Sequence, residues 1–377
     1  MRQQLIDPSA LGAALALRDL TDPAHGPHAM QELVHLAVDA LRTEWRCPVL
    51  VVRSPPLATV EDNYERLGYP PDAAARDARY TRYVGRRTLL RTHASAMIPA
   101  ALRLVAAAGY EDVLVVCVGL VYRRDRIDRQ SVGEPHQMDI WRIRRSPLGP
   151  EDLTRMAALA LGAMLPGVET RSEDTTHPYT ERGRELQARQ EGRWVEVGEC
   201  GLASAAVLAA SGLAGSGRQG LAMGLGLDRV LMVRKGVADI RLLRSDDVRV
   251  AAQMRDLSRY QPVSAEPPVR RDLSLAVDRT PSGEELGDRV REALGADALS
   301  VEAVELLGET PASELPAQAA SRLGIDPDQR NLLVRLTLRH PTRTLTTGEA
   351  NRIRDRVYAA LHRGRAHQWA QGRPPNV

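Results

Sequence analysis

Residues 28–44 place Met30, Leu33, Leu36, Ala37 and Leu41 at helical spacing, which predicts an amphipathic helix. Pro48 to Val52 is a brief apolar run stopped by Pro55-Pro56 and is predicted to be a short buried strand. Residues 113–122 (VLVVCVGLVY) form an unbroken β-rich run, fit for a central strand covered on both faces. A helix is expected over 150–164, with Pro150 at its start and Glu151 and Asp152 in the first turn. Trp194 to Val197 reads as a strand, as does Gly220 to Gly226, which leads into a helix from about Leu227.

Near residues 260–268 (YQPVSAEPP) three prolines interrupt any period, so a domain boundary is expected there. Beyond it, Arg271 to Val277 is a predicted strand, and Ser282-x-x-Glu285 is a capping box opening a helix to about Leu294. Val301 to Leu307 is a predicted strand offering Val301, Ala303, Val304 and Leu306 to a core. Leu332, Val334, Leu336 and Leu338 alternate along one strand face, and Thr346-x-x-Glu349 caps a second helix through about Leu361. Strand–helix–strand–strand–helix order suits a small ferredoxin-like α+β domain. The predicted layout is an N-terminal extension (1–27), a main domain (28–259), a linker (260–268), the small domain (269–364) and a loose tail (365–377).

Composition changes this picture little. The 377 residues are 43% hydrophobic, ordinary for a globular chain, and two domains suit the length. No apolar run reaches the roughly 20 residues of a membrane-spanning helix, and the N-terminus makes a poor secretory signal. A cytoplasmic protein without membrane contact is therefore expected. Cys47, Cys117 and Cys200 lie far apart, so buried free thiols are expected rather than a disulfide framework or a metal site. Of the 51 Lys+Arg residues only Lys235 is lysine, expected at the surface, and the chain contains no phenylalanine. Net charge is +3, so no global basic field marks nucleic acid, although arginines could supply a local phosphate track.

Two segments carry the candidate chemistry. VGLVYRRDRID places Arg123 and Asp125 at the end of the buried strand, and GLAMGLGLDRVLM places Gly224, Gly226, Asp228 and Arg229 where strand becomes helix. Each puts a guanidinium where a sheet meets solvent. One can neutralise an α-phosphate and the other a γ-phosphate, with Mg²⁺ bridging the oxygens.

These segments resemble motifs 2 and 3 of class II aminoacyl-tRNA synthetases, and their surroundings resemble phenylalanyl-tRNA synthetase. Further matches are Pro70 to Asp77, Leu89-Leu-Arg-Thr-His93 with Ser95, Val121 to Asp128, His136-Gln137 and Gly236 to Arg241. Pro267 to Ser274 and Arg343 to Thr346 resemble that family's ferredoxin-fold anticodon-binding domain. Catalytic and anticodon domains joined in one chain are similar to the single-chain, organellar form. The resemblance implies an antiparallel class II sheet flanked by helices, ATP and Mg²⁺ as cofactors, and tRNA and an aromatic amino acid as partners, in a monomer or homodimer. It implies Arg123 and Arg229 as catalytic phosphate binders, with Asp125, Gly224, Gly226 and Asp228 at the nucleotide. It implies His93, Ser95, Gln137, Asp139, His177, Tyr179 and Ala222 at the amino acid, Asp139 near its ammonium and Ala222 on the pocket floor.

Three departures mark the chain. His177-Pro178-Tyr179 stands where the family has Phe-Pro-Phe, Pro135 stands where an aromatic stacks on adenine, and Ser131 stands at a usual histidine. They leave open a paralogue activating a non-standard aromatic or small amino acid, and a non-catalytic tRNA-binding regulator.

Overall fold

The computed structural model describes residues 5–263 and 267–367, so part of the expected linker (264–266) and most of the expected tail (368–377) lie outside the described residues. The chain divides into two compact units. The first comprises residues up to Arg123, Glu134–Leu243 and Ala251–Gln261; the second comprises Arg124–Gly133, Arg244–Val250 and the chain from Pro262 on.

In the first unit the described strands are β1 (Val49–Val52), β2 (Leu57–Thr59), β3 (Tyr83–Gly85), β4 (Thr88–Leu90), β5 (Asp112–Leu120), β6 (His136–Arg144), β7 (Thr170–Asp174), β8 (Thr180–Gln190), β9 (Arg193–Ala203) and β10 (Gln219–Gly226). Seven of them form one sheet in the order β1-β5-β6-β10-β9-β8-β7, and β2-β4-β3 form a small second sheet. Every pairing in the large sheet is antiparallel except β1 with β5. The fully apolar run of β5 sits inside the sheet and is buried along Val113–Leu120, as its sequence requires. β1 differs from its expectation: it is an edge strand with Val51 exposed, because only one neighbour pairs with it.

The helices Ala29–Trp45 and Pro150–Met164 match their predicted spans closely. Met30, Leu33, Ala37 and Leu41 are buried, and Leu36 is half-buried. A core of Ile98, Leu102, Val105, Val115, Trp141 and Tyr179 fills one side of the sheet. The segment before residue 28 is part of this unit: Ile6 N donates to Tyr83 O, and Leu20 N donates to His136 Nε2 at 3.0 Å. Ala14 packs with Leu90, Leu120 and Tyr122. All three cysteines are free and buried.

The second unit contains β11 (Val269–Val277), β12 (Val301–Pro311) and β13 (Arg330–Leu338), antiparallel and ordered β11-β13-β12. The five expected elements occur in the expected order, with a short helix Ala317–Leu323 added between β12 and β13. Both capping boxes form: Ser282 Oγ accepts from Glu285 N, and Thr346 Oγ1 accepts from Glu349 N, each at 3.2 Å. Leu332, Val334, Leu336 and Leu338 all face the core. Leu306 pairs with Val334 and so shares that face, but it lies on the edge strand β12 and stays 44% exposed.

Loop 124–133 belongs to this unit although it connects β5 to β6. Arg291 donates to Asp125 O and Arg126 O at 2.6 Å, Val304 N donates to Ile127 O at 3.1 Å, and Ile127 joins the core.

Candidate functional site

The register of β5, β6, β10 and β9 arranges three rows across one face of the sheet. Gly119, Gln137 and Gly226 form the row nearest the edge. Asp139, Gly224 and Glu199 form the next, and Trp141, Ala222 and Gly201 the third. Successive rows are two residues apart along each strand, so their side chains share a face.

β5 and β10 both run antiparallel to β6, so their C-terminal ends lie at the same edge. Arg123 follows Gly119 by four residues, Arg229 follows Gly226 by three, and both glycines pair with Gln137. The sheet thus carries the two arginines to one edge from strands about 10 Å apart, two strand spacings. Arg229 lies in the first turn of the helix Leu227–Lys235 and donates to Glu196 Oε2 at 3.1 Å.

Of the residues expected at the amino acid, Gln137 lies on the first row, Asp139 on the second and Ala222 on the third, while His93, Ser95, His177 and Tyr179 come from segments outside these strands. Gln137 Oε1 accepts from Ala94 N at 3.1 Å, tying β6 to the segment that bears His93 and Ser95. Among the described residues, His93 Nδ1, His93 Nε2 and Asp139 Oδ2 are buried without hydrogen-bond partners. Orphaned polar atoms are rare in native interiors, and a catalytic role or an absent polar partner is among the explanations for them. Burial holds the His93 imidazole down at about 4, helped by the Arg123 charge, so the ring is neutral at pH 7. Burial lifts the Asp139 carboxyl to about 7, against the opposing pull of the Ser95 side chain. Gly224 leaves room between these strands: a Cβ there would stand 3.2 Å from Asp139 Oδ1 and press on that carboxylate.

His177 and Tyr179 meet at a residue the sequence did not single out, Glu199. His177 Nε2 lies 2.5 Å from Glu199 Oε2, and the Tyr179 hydroxyl donates to Glu199 Oε1. The hydrogen bond to Glu199 raises the His177 imidazole. Burial pushes the Glu199 carboxyl up, but the bonds from His177 and Tyr179 outweigh it and hold the group below the ordinary carboxylate range. Tyr179 stacks on Trp141 at 6.3 Å, and Tyr69 stacks on His93 at 5.6 Å.

Glu199 was hidden by a local irregularity. Glu185 faces Glu199 and Leu186 faces Gly198, but Gln187 faces Glu196, so Val197 is an extra residue in β9. The extra residue defeats simple alternation. Tyr69 and Trp141 carry no motif signal; a contact map alone reveals them.

One sequence expectation is overturned, that for Lys235, and two residues expected at the nucleotide have protein partners of their own. Asp228 is not at the open face: it is 2% exposed, and its carboxylate accepts from His136 N at 2.5 Å and lies 3.2 Å from His136 Nδ1. Asp125 falls in the second compact unit, where its carboxylate accepts from Arg126 N at 2.9 Å, and it is not among the residues these rows assemble. Lys235, expected at the surface, is fully buried, because its ammonium donates to Asp256 O at 2.7 Å and Ser258 O at 2.6 Å.

A family model described as the tRNA synthetases class II core domain (F) matches residues 49–254. The chain belongs to that family. It is similar to proteins named phenylalanine–tRNA ligase alpha subunit: 35% identical to that of Prochlorococcus marinus (strain MIT 9313) over 203 residues, 54% of this chain and 59% of the relative. The Acaryochloris marina (strain MBIC 11017) counterpart is 30% identical over 253 residues, 66% of this chain and 75% of the relative. A Drosophila melanogaster protein named probable phenylalanine–tRNA ligase, mitochondrial, is 27% identical over 391 residues, 88% of this chain and 81% of its own length. The similarity to the Drosophila relative thus runs through most of the chain, whereas this chain spans about three fifths of the Prochlorococcus subunit. No described helix is long and apolar enough to cross a membrane.

Proposed function

We propose that this class II chain is an ATP-dependent ligase that joins an amino-acid carboxylate to AMP and passes the resulting aminoacyl group to tRNA. The observation that carries the reading is the shared sheet edge of Arg123 and Arg229, one strand pair from the orphaned polar atoms of His93 and Asp139. The bond formed joins a carboxylate oxygen to the α-phosphorus, and pyrophosphate leaves. No proton need move at the attacking atom. Catalysis then consists of holding the two reactants in line and neutralising phosphate charge, the work two guanidiniums perform.

Mg²⁺ would arrive with the triphosphate. Among the described residues no three His, Cys, Asp or Glu side chains gather into a metal site. Such a setting still suits this ion, which commonly uses one or two carboxylates beside phosphate oxygens and water. The half-exposed Glu196, paired with Arg229, is the carboxylate placed to join it, and the ion would add positive charge at the phosphates. For the second unit, tRNA binding is supported by its sequence resemblance to an anticodon-binding domain.

The family resemblance favours an aromatic amino acid, phenylalanine first. A second reading, a non-standard substrate, is favoured by the Glu199–His177–Tyr179 network, which puts charge where the family has two phenyl rings. Amino-acid-dependent pyrophosphate exchange, followed by charging of purified tRNA, tests the activity. Exchange with at least one acid is expected. If the folded chain fails to bind ATP–Mg²⁺ in calorimetry, the ligase reading is refuted.

A further inference from the structure

The three rows describe a slot whose depth and polarity can be read directly. The third row is closed. Trp141 is 0%, Ala222 1% and Tyr179 5% exposed, and the Tyr179 ring lies over Trp141. A ring-sized side chain would have to displace that stack. The second row is less closed: Asp139 is buried, but Gly224 is half-buried and presents no side chain, and Glu199 keeps 33% of its side chain exposed.

The second row is also flanked by acids. Asp139 and Glu199 both pair with Gly224, from opposite sides, and so stand about 10 Å apart at their Cα atoms. Both reach toward the space above one glycine. An ionised carboxylate has about four acceptor sites. His177 and Tyr179 each use one of Glu199's, which leaves acceptor capacity on its exposed part.

Resting on the reading of this site as an amino-acid-activating one, and on the second of its two substrate readings in place of phenylalanine, we propose that Glu199 sets its specificity, and that the slot takes an amino acid with a short side chain ending in a hydrogen-bond donor, a hydroxyl or an amine. The α-ammonium lies at Asp139, and the side-chain donor crosses Gly224 to Glu199. Phenylalanine is a poor substrate on two counts: the closed third row excludes its ring, and its side chain leaves the Glu199 acceptors unmatched. Sites built to bond a polar group reject the analogue lacking it far more strongly than apolar pockets reject a missing methylene.

The test uses the full chain, with serine, 2,3-diaminopropionate, alanine and phenylalanine as probes. Pyrophosphate exchange and equilibrium calorimetry are measured for each. The expected result is that serine or diaminopropionate exceeds both alanine and phenylalanine in kcat/KM by at least about tenfold, an amine preference and a hydroxyl preference being told apart by which of the two leads. Glu199→Gln, nearly isosteric, should raise KM for the preferred acid about 10–100-fold with kcat little changed, and should shrink its lead over alanine. Should Glu199→Gln fail to fold, Glu199→Asp serves as the second variant: it keeps the carboxylate but shortens its reach, and should likewise shrink the preferred acid's lead over alanine. Phenylalanine used best by the wild type, or a ranking untouched by Glu199→Gln, overturns the proposal. If exchange is absent with every acid while calorimetry keeps the donor preference and its loss in Glu199→Gln, the activation reading fails and the specificity assignment survives.

Discussion

Asp228 accepts a hydrogen bond from the backbone N–H of His136 at 2.5 Å and lies 3.2 Å from the same residue's Nδ1, although 92 positions separate the two. Leu20 N donates to His136 Nε2, so that nitrogen is the acceptor and the proton sits on Nδ1, facing Asp228. The pair clamps the first residue of β6 to the helix that carries Arg229. Asp228→Asn is expected to lower stability by about 1.5–3 kcal/mol, the range for bonds to a charged group. Urea unfolding with an unchanged midpoint, together with a raised KM for ATP, would restore Asp228 to a direct nucleotide role.

Arg229→Ala should cut pyrophosphate exchange about 10²–10³-fold, the usual loss when one preorganised charge-stabilising donor is removed. Circular dichroism should be unaltered, because among the described residues this side chain bonds to the half-exposed Glu196. Glu196→Gln should weaken exchange less. Retention of full exchange by Arg229→Ala would refute its assignment to the phosphates.

Asp139 predicts a pH dependence with a definite sign. Burial raises its carboxyl from 3.8 to about 7 in the folded chain, so the folded state keeps a proton that the unfolded chain has lost. The stability from that protonated form is complete below about pH 4 and fades as pH rises toward 7. Binding of an amino acid's ammonium needs the ionised form, so affinity should rise through pH 7 and release a proton. Calorimetry in buffers of different ionisation heat measures that proton directly. Asp139→Asn should flatten both profiles, and a wild-type affinity independent of pH from 6 to 8 would count against the ammonium role.

Lys235→Met keeps much of the buried volume and removes the donor to Asp256 O and Ser258 O. Two carbonyl groups then lose their partner, an expected cost of about 2–4 kcal/mol in equilibrium unfolding. A surface lysine would show a change near zero.

Much of this molecule could be read from residues alone, where one physical rule governed each element. The run Val113–Val118 had to be interior, and Ser282 and Thr346 each announced a helix start through a partner three residues on. What escaped depended on partners distant in sequence. Lys235 is buried because two carbonyls beyond its helix accept its ammonium, and nothing in its local sequence announces them. Glu199 was masked by the extra residue at Val197, and the exposure of Leu306 by the edge position of β12, which only the sheet order reveals. The arginines were legible as types, yet their common edge follows only from the pairing of Gly119 and Gly226 with the same Gln137.

The turn between β5 and β6 also bears on how the chain can be cut. Its order suggests a front module and a back module separable near residue 262. Yet residues 124–133, which join two central strands of the front sheet, are fastened by Arg291 and Val304 and bury Ile127 among back-unit side chains. A gene truncated at that point would encode a sheet whose own connecting turn had lost its anchorage. The two halves are expected to need expressing and engineering together for the β5–β6 turn to stay anchored.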